Sequence, residues 1–144
     1  MSSINEMVSN TKTHISVIPN IVDQYELPIH KKHMSFTFIA VGRLVKIKQF
    51  DKIILAFTKC FRGKKVQLKI IGDGKEYRTL KKLILNLEMQ NQIILTGYLN
   101  KNQVLEQLAN ADCLICFSKY ETFGVPIVEA WASGIPTITT TSAA

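Results

Sequence analysis

Five short apolar runs, the first four each followed by a turn and then by a helical stretch, constrain this chain more than any other feature. Phe36 to Val41 (FTFIAV) is almost entirely apolar, as a strand covered on both faces requires. Gly42 ends it, and Gln49 to Phe61 then carries Phe50, Ile53, Ile54, Phe57 and Phe61 at helical spacing. Gly63 is a helix stop. The unit recurs: strand Val66 to Ile71, helix Glu76 to Glu88, strand Ile93 to Thr96, helix Lys101 to Asn110, strand Asp112 to Phe117. Asn100 with Gln103 forms a capping-box pattern ahead of the third helix. A short helix opened by Pro126 and closed by Gly134 leads to a last strand, Ile135 to Thr140. No two-residue hairpin turn joins these strands. The pattern predicts an α/β fold, a parallel sheet with right-handed crossovers and helices on both faces.

Ahead of Phe36 the chain reads differently. Residues 1 to 12 are polar, His14 to Ile18 has the make-up of a short strand, and residues 21 to 35 read as a linker. The expected organisation is an N-terminal segment and linker over residues 1–35, then one domain over 36–144. Ending at Ala144, directly after a strand with no closing helix, predicts a piece of a larger fold. With 47% apolar and 20% charged residues, a disordered chain is excluded. No run approaches the roughly 20 residues of a bilayer span, and MSSINEMVSN has no secretory core. A cytoplasmic location is expected.

The net charge of +7 favours anionic partners, but the lysines are scattered and no nucleic-acid-reading motif occurs. Nucleic acid is not an expected partner. Cys60, Cys113 and Cys116 are too few for a disulfide framework. Residues three apart on a strand point to opposite faces, so Cys113 and Cys116 are expected as structural thiols. His30 and His33 flank two lysines in a polar stretch and read as solvated linker.

In a parallel sheet the strand C-termini share one rim, and ligands bind along it. Gly42, Gly72 and Gly97 each follow a strand, and Gly124 lies in the loop after the fourth. Each serves either a tight turn or a close approach of backbone to ligand. Arg43 and Lys48 precede a helix, where two cations beside free N–H groups suit a diphosphate; the alternative is a solvated basic loop with Lys46. The N–H groups near Gly124 and Val125 form a second anion-facing terminus. Glu121 and Glu129 bracket this turn. Carboxylates accept from sugar or ribose hydroxyls, while Glu129 in a first helical turn equally compensates the helix dipole.

Glu121 to Ala130 (ETFGVPIVEA) resembles the E-x7-E motif of retaining glycosyltransferases with the two-domain GT-B fold, family 4. Val41 to Lys48 is similar to that family's phosphate loop, and Ile70 to Gly74 and Leu95 to Leu99 to its nucleotide-side turns. Leu108 to Ser118 resembles the strand leading to the motif, Ala132 to Thr140 the segment after it, and Val17 to Asn20 the interdomain linker. The resemblance implies a Rossmann-like C-terminal half of a GT-B fold, the nucleotide-sugar-binding domain, incomplete at its C-terminus and lacking its N-terminal acceptor domain.

The implied reaction transfers a sugar from a nucleotide-sugar to a glycan or lipid-linked acceptor with retained configuration. Arg43 and Lys48 would bind the diphosphate and stabilise the leaving nucleotide. Glu121, with the backbone at Phe123, Gly124 and Val125, would contact the sugar, and Glu129 the ribose. Gly42, Gly72 and the backbone around Tyr98 would lie along the nucleotide. No metal or other cofactor is implied, and no D-x-D motif occurs. A lipid-linked acceptor implies peripheral contact with the inner membrane face. The chain departs from the family pattern at Gln49, Thr122, Ile21 and Lys75, where glycine, glycine, glycine and proline are usual. The rival readings are a non-catalytic nucleotide-sugar-binding module and a GT-B-type sugar epimerase.

Overall fold

The computed structural model describes residues 35–121 and 123–140. The expectations for strand His14 to Ile18, the linker with His30 and His33, and the departures at Ile21 and Thr122 lie outside the described residues. The elements alternate as β1 (Phe36–Val41), α1 (Phe50–Phe61), β2 (Val66–Ile71), α2 (Tyr77–Asn86) and β3 (Ile93–Gly97). Then come α3 (Lys101–Ala109), β4 (Cys113–Cys116), α4 (Val125–Ala132) and β5 (Thr137–Thr139). A 3-10 turn, Lys46–Lys48, sits between β1 and α1. All pairings are parallel, in the order β3-β2-β1-β4-β5. This is a Rossmann-like sheet.

The period-2 pleat divides the core into two layers. Phe38, Ala40, Leu68, Ile70 and Cys113 face α1 and α2, packing on Phe50, Ile53, Ile54, Phe57, Leu80 and Ile84. Ile39, Ile71 and Leu114 face the other way, onto Leu105 and Leu108 of α3 and Ile127 and Ala130 of α4. Cys113 joins the first layer and Cys116 borders the second, so the C-x-x-C thiols point to opposite faces.

Three of the boundaries that differ from the sequence expectation have a physical reason on view. Gln49 is the cap of α1 rather than its first residue, and it adopts φ 51°, ψ 39°. That left-handed geometry costs a side chain roughly 1 kcal/mol or more and costs glycine far less, which accounts for the family's usual glycine here. Pro126 is the second helical residue, behind Val125, and Glu129 is the fifth. Glu129 therefore lies beyond the first turn of α4, which has no acidic residue, and compensating the helix dipole is not its role. Asp112 leaves the strand, because its carboxylate accepts the Thr37 N–H at 2.7 Å.

Strand order reverses between β1 and β4. The chain leaves β1 toward β2 on one side and β4 toward β5 on the other, opening a crevice at their C-terminal ends. The β1–α1 and β4–α4 loops border that crevice, and they carry Arg43, Lys48 and Glu121.

Candidate active site at the switch point

The β1–α1 loop is held by backbone bonds to its neighbour. Gly42 N–H donates to the Ile71 carbonyl at 3.0 Å, Leu44 N–H to Asp73 at 2.9 Å, and Glu76 N–H back to Leu44 at 3.0 Å. The strands run so close that a Cβ on Gly72 would lie 1.9 Å from the Gly42 carbonyl oxygen, at a φ of 144°. Gly72 is thus required by the backbone crossing itself. Beside this crossing is a cleft of about 370 Å³ lined by Gly42, Arg43, Gly72, Asp73, Tyr98, Leu99 and Val104. Tyr98 is 77% exposed there. Arg43 is exposed and makes no ion pair among the described residues.

Lys48 takes a different course. Its ammonium donates to Glu121 Oε2 at 2.5 Å, across 73 positions of sequence. The Ser118 hydroxyl donates to the same oxygen at 3.1 Å, and the Cys116 thiol lies 3.9 Å from it. The Glu121 side chain keeps 10% of its exposure. Burial alone would push its carboxyl up, but the Lys48 hydrogen bond and charge, the Ser118 hydroxyl and the Gly124 N–H outweigh it. The carboxyl sits below its ordinary value, ionised throughout the neutral range. A depressed carboxyl adds stability above its unfolded value and loses it as pH falls through the folded one.

The backbone fixes this meeting. Lys119 N–H donates to the Ile47 carbonyl at 2.8 Å, tying the Glu121 loop to the turn that carries Lys48. The Thr140 hydroxyl donates to the Ser118 carbonyl at 3.1 Å. Gly124 caps α4 at φ 70°.

Glu129 is set apart from this cluster. Half-buried on α4, its carboxyl is pushed up by burial, with the Lys101 ammonium at the start of α3 pulling it down. Phe123 and Val125 are exposed on the rim. The structure therefore joins Lys48 to Glu121, lines one cleft with Gly42, Arg43, Gly72 and Tyr98, and leaves Glu129 to a third position. Sequence reasoning missed Ser118 and Lys101. Ser118 had one signal, a hydroxyl three residues before Glu121, and it is 2% exposed.

Residues 22–143 match the family model described as Glycosyl transferases group 1. The chain belongs to this family. Among its relatives, N-acetyl-alpha-D-glucosaminyl L-malate synthase of Bacillus anthracis is 31% identical over 102 residues, covering 71% of this chain and 26% of that protein. Alpha-monoglucosyldiacylglycerol synthase of Streptococcus pneumoniae is 32% identical over 103 residues, with 71% and 23% covered. This group 1 chain thus spans about a quarter of the length of those relatives. Of solved structures, lipopolysaccharide outer core galactosyltransferase WaaB in its apo form superposes with a TM-score of 0.71 at 28% identity, covering 86% of this chain and 36% of that one. The pneumococcal O-GlcNAc transferase GtfA, solved with UDP and GlcNAc, gives 0.68 at 26%, covering 80% and 22%. These structural neighbours are GT-B glycosyltransferases.

Proposed function

We propose that this chain is the donor-binding part of a glycosyltransferase that moves a sugar from a nucleoside-diphosphate donor to a glycan or lipid-linked acceptor with retention of configuration. The observation that carries it is the placement of Arg43, Lys48 and Glu121 on two loops flanking the β1–β4 crevice, beside the cleft at Gly72 and Tyr98. In this reading the diphosphate lies along Arg43 and Lys48, and charge developing on the departing nucleotide is met by fixed cations without a metal. Glu121, kept ionised, accepts from sugar hydroxyls, and Glu129 from the ribose. The UDP and GlcNAc in the GtfA structure support a nucleotide and sugar at such a fold. An acceptor-binding domain completes the cleft in this reading. The location is cytoplasmic, with the acceptor presented at the inner membrane face; among the described residues no helix is long and apolar enough to cross a membrane.

A thermal-shift panel with UDP, GDP, ADP and their sugars tests this. One diphosphate raises Tm by several degrees, and Arg43→Ala removes the shift. A hundredfold excess over Kd corresponds to about 2.7 kcal/mol of stabilisation. No shift with any nucleotide rejects the donor reading.

A further inference from the structure

The Lys48 ammonium is already occupied by an anion. Glu121 holds it at 2.5 Å, so the same two side chains assigned to the donor are engaged with each other. We propose that Glu121 is the resident anion of the Lys48 site: a diphosphate displaces it, and the released carboxylate, still held by Ser118, turns to the sugar. This rests on the diphosphate-donor reading above and adds to it how binding of one half of the donor prepares the other.

The surroundings suit an exchange. Breaking a buried ion pair is severe when it strands a charge without partners. Here neither group is stranded. Glu121 retains the Ser118 hydroxyl at 3.1 Å, and Lys48 gains phosphate oxygens. Lys48 keeps 23% of its side-chain exposure and can rotate on its flexible stem. The backbone need not move, because the Lys119 to Ile47 bond fixes the spacing of the two loops. Arg43, unpaired among the described residues, receives the phosphate first. A diphosphate beside an unmoved Glu121 would face a like charge, so nucleotide affinity and carboxylate position are coupled.

Calorimetric titration of the 144-residue chain with inorganic pyrophosphate, and with UDP, GDP and ADP, tests the exchange in wild type, Glu121→Gln, Lys48→Met and the double variant. Glu121→Gln, which removes the competing charge, binds diphosphate about fivefold tighter. The gain disappears in the Lys48→Met background, which a purely structural role for Glu121 would not produce. A wild type that binds diphosphate as tightly as Glu121→Gln overturns the exchange and leaves the donor reading standing. Failure of all four proteins to bind any diphosphate overturns both. Should Glu121→Gln not fold, the Glu121 carboxyl 13C resonance of the wild type is followed against pH with and without saturating pyrophosphate. Its midpoint rises when Lys48 is drawn away, and an unchanged midpoint rejects the proposal.

Discussion

At Glu129, function and stability pull in opposite directions. Burial holds its carboxyl above the ordinary value, so the ionised form at neutral pH weakens the fold. The sign follows from linkage: a raised carboxyl favours folding below its unfolded value and loses that contribution as pH rises through the folded one. Glu129→Gln should therefore raise Tm at pH 7 by a few degrees, and the gain should vanish below about pH 4, where both side chains are neutral. Under the proposed function the same variant binds nucleoside diphosphate more weakly. Scanning calorimetry across pH, paired with titration of the nucleotide, checks both. Glu129, Glu121, Arg43 and Lys48 were all visible in the sequence as charges at motif spacing, though the pairing of Lys48 with Glu121 was not. Gln92 was not. Its amide donates to the carbonyls of Phe61, Lys64 and Val66 and accepts the Gly63 N–H, knitting the α1–β2 turn from 26 or more positions away. A polar side chain at a loop position carries no mark of such long-range bonds.

Among the helices, α3 is the one whose start was readable to the residue. The Asn100 side chain accepts the Gln103 N–H at 3.0 Å while Gln103 accepts the Asn100 N–H at 3.0 Å, a complete capping box. Asn100→Ala should cost about 1 kcal/mol, measured as a lower urea midpoint at unchanged m-value, with amide exchange accelerated first at Gln103. By contrast α4 begins differently from expectation, since Val125 precedes Pro126 as its first residue. The 3-10 turn was missed entirely. Three residues show no periodicity, and its geometry is set by the left-handed Gln49 that follows it.

Across the whole molecule, apolar character alone does not say which residues fill the core, whereas helical spacing picked out Phe50, Ile53, Ile54 and Phe57. Ile39 is 0% exposed and Leu55, equally apolar in sequence, is 48% exposed. Ile39→Ala should lose about 2–5 kcal/mol, whereas Leu55→Ala should stay within about 0.5 kcal/mol; denaturant titrations of both variants separate them. Strand direction followed from the alternation, but lateral order did not, because parallel crossovers of the same hand can step to either side of a starting strand. That order has a consequence in time as well as space. Phe36 pairs with Val66 after a short excursion of chain, while Phe38 meets Cys113 only after α1, β2, α2, β3 and α3 have been traversed. Closing the longer excursion costs more chain entropy and slows the pairing. The three-strand unit β1–β2–β3 can condense without β4, but Lys48 and Glu121 cannot meet until the far half of the sheet has docked. The ion pair is a signature of completed folding: a chain stalled on the way would have a sheet and a helical layer, and an ammonium with nothing to hold.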